Sequence, residues 1–373
     1  MNSKIIGIAI LIIAIGGAFA YFITKSDPID TNSLSSETIS QNEKISLVIN
    51  TINPPKSIDD LESVYKVAST SGAGRTNMYV YWSQIEPEEG TFDWRVTDIQ
   101  MKLNEKYNFK TTLFFSVINA DRLGPFPSWM GNQALGETLE GETIRVLDSI
   151  LSRYENIDYV IFAGDIDYHF QRASGSIPTY VEFFDNVYTE IKSKHPNVKL
   201  GNSMSLENVI NKGMEPGGSF ELTPKLEMGD FIALSYKPTD TVGDINRTPQ
   251  EAIANLEKSL EFFPLHQLAF FEISWSTSDF VNGNENDQAE FIESSLNFFE
   301  ENESDIEFFT ISRLFDKQKG SCVSQEIESV GGSGFSSNSF RLERVDEYVC
   351  NSGLIDVNEN EKPAWTQFKL NIP

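Results

Sequence analysis

The chain has 373 residues, with 55 acidic against 29 basic side chains and a formal net charge of −26. No Lys/Arg cluster interrupts that acidity, which argues against a nucleic-acid partner and for a hydrated surface that keeps the protein monomeric. Hydrophobic content of 40%, with 27 Phe, excludes a disordered chain and allows one large core or two ordinary ones.

The first element is an uncharged run from Ile5 to Ile23, IIGIAILIIAIGGAFAYFI. As a helix it would span roughly 28 Å, enough to cross a bilayer. Residues 1–24 are therefore expected to be a transmembrane anchor with the rest of the chain outside the cell. The small-residue triplet Ala18-Phe19-Ala20 leaves a cleaved secretory signal, and a secreted protein, as the alternative. Residues 25–44 are polar, Ser/Thr-rich and aperiodic, and read as a tether.

From Ile45 to Pro373, short apolar runs alternate with amphipathic segments. ISLVIN precedes a helix over 57–69, TNMYVYW precedes 93–107, and KTTLFFSVI precedes 139–154. YVIFAG precedes 178–194, VKLGNSM precedes 205–212, and DFIALSY precedes 248–262. QLAFFEISW precedes 286–301, and IEFFTIS precedes a last helix at 362–369. Continuous Val/Ile/Phe-rich runs suit strands covered on both faces. Eight such βα units predict an α/β fold, a (β/α)8 TIM barrel, over 45–373; no Gly-x-Gly-x-x-Gly follows the first strand to suggest a dinucleotide fold. Cys322 and Cys350 enclose a Gly/Ser-rich stretch and would form a disulfide outside the cell or remain free thiols. Sequons at Asn246 and Asn302 agree with export.

On a TIM barrel the chemistry sits where strands end. The fourth strand ends in Asp165 and Asp167, and the seventh delivers Glu272 after four apolar residues, with Trp275 just beyond. A carboxylate inside an apolar run is costly to bury unless it is paired. Tyr236 closes strand six, Trp82 closes strand two, and Trp129 lies in the third βα loop. Two carboxylates across a barrel mouth, with aromatic faces for stacking, form the constellation that hydrolyses glycosidic bonds. The three histidines fall in different units, and neither a metal-ligand spacing nor a Gly-x-Ser-x-Gly elbow is present, so neither a metal site nor a serine-hydrolase site is expected.

Four stretches, YWSQIEPEEGTFDW (81–94), SYKP (235–238), FEISWSTS (271–278) and GLIDVNENEKPAWTQF (353–368), resemble motifs of the large clan of retaining (β/α)8 glycoside hydrolases, which includes cellulases, endo-galactanases and β-galactosidases. The resemblance implies Glu272 as nucleophile, Asp165 as general acid/base and Tyr236 as a donor to that nucleophile. It also implies a carbohydrate partner and no cofactor. Trp82, Trp129, Trp275, Asp167 and Asn119 complete the expected substrate-binding set. Asp167 doubles as a loop-structuring residue or fallback acid, and Asn119 is the counterpart of a strand-three polar residue. Where the clan has Gly-Asn-Glu at the end of strand four, this chain has Ala163-Gly164-Asp165. Its strand-eight tryptophan is replaced by Ile311 or a neighbour, and its strand-two arginine by Asn77, with Arg75 out of register. These departures keep a second reading open, a non-catalytic glycan-binding or scaffolding protein on a degraded barrel.

Overall fold

The computed structural model describes residues 40–120, 122–210, 219–322 and 339–373. The apolar segment 5–23, the tether up to residue 39 and most of the Gly/Ser-rich stretch lie outside the described residues. Among the described residues no helix is long and apolar enough to cross a membrane.

Eight parallel strands form the barrel. They are β1 (Asn42–Leu47), β2 (Ala73–Val80), β3 (Lys110–Phe115), β4 (Ile157–Ala163), β5 (Lys199–Ser205), β6 (Phe231–Tyr236), β7 (Leu268–Ile273) and β8 (Ile306–Ile311). Each strand pairs with its sequence neighbours, and β1 pairs with β8 through Ile45 and Phe309 to close the cylinder. The helices that return the chain are α1 (Ile58–Ser69), α2 (Arg95–Lys106), α3 (Glu137–Arg153), α4 (Ile177–Lys194), α5 (Leu206–Ile210), α6 (Pro249–Phe262), α7 (Glu285–Glu301) and α8 (Pro363–Asn371). Every βα unit expected from the apolar runs is present. The first strand begins at Asn42 rather than Ile45, because the Asn42 amide already donates to Gly72 O at 2.9 Å.

Local chemistry sets the helix starts. Ser57 with Asp60, and Thr248 with Glu251, form capping boxes on α1 and α6, and Asn284 caps α7 by accepting from the Asp287 amide. Apolar stripes then pack onto the outside of the barrel, as Phe291, Ile292, Leu296 and Phe299 of α7 do.

Inside the barrel, Phe114, Ile161, Phe231, Phe271 and Phe308 interdigitate with the small Ala233 and Ala269. Phe114 and Phe271 stack with centroids 5.4 Å apart. Polar groups close the N-terminal end: Arg75 pairs with Asp158 and lies 4.6 Å over the Tyr159 ring, while Lys199 reaches Glu307 at 2.6 Å. Arg75 therefore belongs to the base of the barrel, away from the strand ends that carry chemistry.

Beyond β8, a disulfide joins Cys322 to Cys350 at the end of a further helix, Ser339–Cys350. Of the two cysteine states left open by the sequence, the structure holds the bonded one.

Candidate active site

Glu272 owes its position to a bulge. Across the β6–β7 ladder Leu234 pairs with Phe270, but the next rung pairs Ser235 with Glu272, so two residues of β7 oppose one of β6. The extra residue lets Phe271 face the barrel interior and turns Glu272 inward as well. The Tyr79 hydroxyl, from β2, donates to Glu272 Oε1. In the barrel β7 is separated from β2 by β8 and β1, so this bond crosses the mouth in front of those two strands. Burial first, and then the charge of Glu272, push the Tyr79 phenol well above its ordinary range and keep it a donor. Asn77, on the same face of β2, donates to the Phe271 carbonyl at 3.2 Å and pins the bulge.

Asp165 approaches from the other side. It adopts a left-handed backbone (φ 46°, ψ 45°) between β4 and the short helix Ile166–Arg172, a conformation that Asp tolerates better than most residues. Its Oδ1 accepts from Ser203 Oγ of β5 at 3.2 Å and from Ser235 Oγ of β6 at 2.8 Å. Ser235 is the register partner of Glu272, and adjacent strands lie about 4.8 Å apart. Ser235 thus ties Asp165 to the strand rung that carries Glu272. Asn119 stands beside the Asp165 segment: it bridges Gly164 from the β3 loop, and its Nδ2 is buried with no partner among the described residues.

No family model matches the chain, and no curated protein matches it. Solved structures do. GH5_18 from Streptomyces cattleya, determined in complex with GlcNAc, superposes with a TM-score of 0.63 at 12% identity, over 89% of this chain and 80% of that one. Xylanase 10B from Thermotoga maritima gives 0.57 at 15% identity over 88% and 94%. The exo-β-1,4-mannosidase Op5Man5 from Opitutaceae bacterium strain TAV5 gives 0.61 at 13% identity over 93% and 62%. The fold is that of the (β/α)8 glycoside hydrolases.

Within this barrel, several expected site residues stand elsewhere. Tyr236 is 0% exposed, and its hydroxyl accepts from Asn255 of α6 at 2.8 Å. Strand alternation requires this: Ser235 faces inward on the Glu272 rung, so Tyr236 faces the helices. The tyrosine that reaches Glu272 is Tyr79. Trp275 is 1% exposed and packs on Phe291 of α7, with centroids 5.2 Å apart. Trp82, 3% exposed, donates to Glu86 at 2.7 Å within the second βα loop. Trp129 is half-buried and donates to the Glu86 carbonyl at 3.1 Å, leaving part of its ring accessible on the third loop. Asp167 is fully buried under three donors: the Ser205 amide at 3.0 Å, Asn208 Nδ2 at 2.5 Å and Ser219 Oγ at 2.9 Å. Burial, and secondarily the charge of Asp165, raise its carboxyl to about 7.

Besides Tyr79 and the serines on Asp165, two charged groups escaped the sequence reading. Glu207 stands two residues past β5, in α5; its Oε2 accepts from Ser205 Oγ at 3.0 Å and its Oε1 from the Lys237 amide. Burial raises that carboxyl to about 8, so it is largely protonated at neutral pH. Arg313 stands two residues past the end of β8 at Ile311. Each was legible as a charged residue after an apolar run, but single charges are common there.

Proposed function

We propose that the chain is an O-glycoside hydrolase acting on an extracellular or cell-envelope polysaccharide. One observation supports the reading most: Glu272 is turned into the barrel mouth by the β7 bulge and held by Tyr79, while Asp165 reaches toward it through Ser235. Glu272 attacks the anomeric carbon or activates a water, and Asp165 protonates the leaving oxygen. Ser203 and Ser235 orient Asp165, offsetting the shorter reach of aspartate where the clan carries glutamate. Nothing in the reaction calls for a metal or organic cofactor. The apolar segment 5–23 and the Cys322–Cys350 bond support a membrane-tethered protein with its barrel outside the cell.

The test is release of reducing sugar from a polysaccharide panel by the full chain and by Glu272→Gln. Activity abolished by the substitution, with thermal unfolding unchanged, supports the assignment; activity within a few-fold of wild type removes Glu272 as nucleophile.

A second reading, glycan binding without turnover, draws on Gly164. A Cβ at that position would lie 2.8 Å from the Phe114 ring, so the asparagine of the clan has no room here. Oligosaccharide binding with no hydrolysis, unchanged in Asp165→Asn, would decide for it.

A further inference from the structure

In a chain carrying net charge −26, the half-buried Arg313 has two buried donor atoms, Nε and Nη1, with no hydrogen-bond partner among the described residues. Arg313 sits one residue beyond the rung on which the Ser312 amide donates to Ile273 O of β7 at 2.9 Å. Its own carbonyl accepts from the Leu354 amide at 3.1 Å, and the Leu314 amide donates to Val48 O beyond β1 at 3.0 Å. The backbone on both sides of Arg313 is therefore fixed at the ends of β7, β8 and β1. This is the arc of the mouth that the Tyr79–Glu272 bond crosses. The guanidinium is close enough for its charge to act on the Tyr79 hydroxyl.

Arg313 Nε and Nη1 are buried and donate to nothing among the described residues. A buried guanidinium is ordinarily paired, because two desolvated donors on a full charge are costly. Arg75, buried at the base of the barrel, follows that rule by pairing with Asp158. Glu272, although it faces the same arc, makes no ion pair with Arg313 among the described residues and is held by Tyr79 instead. A second cation stands nearby. Lys317 lies within range of the Arg313 charge, and burial, reinforced by that charge, lowers its ammonium to about 8.

We infer that Arg313 recognises an anionic group on the substrate, so that the glycan is acidic: its sugar beside Glu272 carries a uronate carboxylate or a sulfate ester. The planar fork of a guanidinium matches two anionic oxygens, and burial makes an unmatched neutral sugar the poorer ligand. This inference rests on the hydrolase or glycan-binding reading of the mouth and names its substrate class.

The test is calorimetric titration of the full chain carrying Glu272→Gln, so that binding is read without turnover. The probes are oligogalacturonates, sulfated galactan oligosaccharides, and neutral manno- and cello-oligosaccharides of equal length. One or both anionic series should bind about 10- to 100-fold more tightly than the neutral ones, and the uronate and sulfate arms tell the two anions apart. Adding Arg313→Gln should erase the preference, and Arg313→Lys should keep part of it. Since Nε and Nη1 make no bonds among the described residues, Arg313→Gln should unfold no lower than the wild type; should it fail to fold, Arg313→Lys and the salt dependence of binding decide in its place. Neutral oligosaccharides binding as tightly as acidic ones, or an anion preference surviving Arg313→Gln, would overturn the inference and leave the glycan reading standing. Binding of no saccharide from any series would overturn both.

Discussion

The Tyr79 hydroxyl donates to Glu272 Oε1 across the mouth of the barrel, joining the second strand to the seventh. A donor on the charged form of a carboxylate favours that form. Tyr79→Phe keeps the ring against Phe114, 5.5 Å away, and so preserves packing while deleting the bond. Turnover should fall about 10- to 100-fold, the worth of a hydrogen bond to a charged group. With its donor gone, Glu272 should hold its proton to higher pH, moving the acid limb of the kcat/KM profile upward. A profile that does not move would mean that Tyr79 merely fills space.

Gly164 separates this barrel from the clan pattern for a steric reason. Its hypothetical Cβ meets Phe114 Cε2 and Cζ at 2.8 Å, and Phe114 is itself locked by stacking on Phe271. Gly164→Asn should therefore destabilise the fold by about 1–3 kcal/mol, the cost of overpacking a filled interior. Combining it with Phe114→Leu should recover part of that loss, since contacting sites do not add. Denaturant unfolding of the single and double variants checks both numbers, and strict additivity would deny the clash.

The scaffold was readable because parallel strands covered on both faces leave long apolar runs, and eight of them survive in order. The same property hid the site. Runs such as FIALSY carry no inside–outside alternation, so nothing in them says that Ser235 rather than Tyr236 shares a face with Glu272. Parity was further broken at Phe271–Glu272 by a bulge, which has no sequence signature there. Glu272 and Asp165 stood out because carboxylates are rare at the ends of apolar runs. Tyr79 did not, since a tyrosine within TNMYVYW looks like any core aromatic. Arg313 gains meaning only from the structure, where its Nε and Nη1 are buried with no partner among the described residues.

Tyr236→Phe distinguishes the two tyrosines. The lost hydroxyl leaves Asn255 Nδ2 without its acceptor between barrel and helix, which should lower stability by about 1 kcal/mol. Turnover should stay at the wild-type level, because the hydroxyl faces α6 rather than the mouth. Comparing kcat for Tyr236→Phe and Tyr79→Phe on one substrate checks this, and a larger fall in the former would return Tyr236 to the site.

Asp167 is where burial and hydrogen bonding compete most openly. Three donors favour its charged form, yet burial and the neighbouring charge of Asp165 win and raise it to about 7 from an ordinary value of 3.8. A carboxyl raised on folding binds its proton more tightly in the native state. Its contribution to stability is complete below pH of about 4 and is lost as pH climbs through about 7. Asp167→Asn carries no charge to desolvate, so its stability relative to wild type should improve from pH 5 to about pH 7 and level off beyond. Glu207, raised to about 8 by burial, slopes the same way in both proteins and cancels in the difference. The absolute sign at any one pH is less informative, because the amide places a donor where Asn208 and Ser219 also donate. Thermal unfolding of both proteins across that range gives the comparison. A pH-independent difference would mean that the three donors hold Asp167 ionised throughout, and that hydrogen bonding rather than desolvation governs this end of the fourth strand.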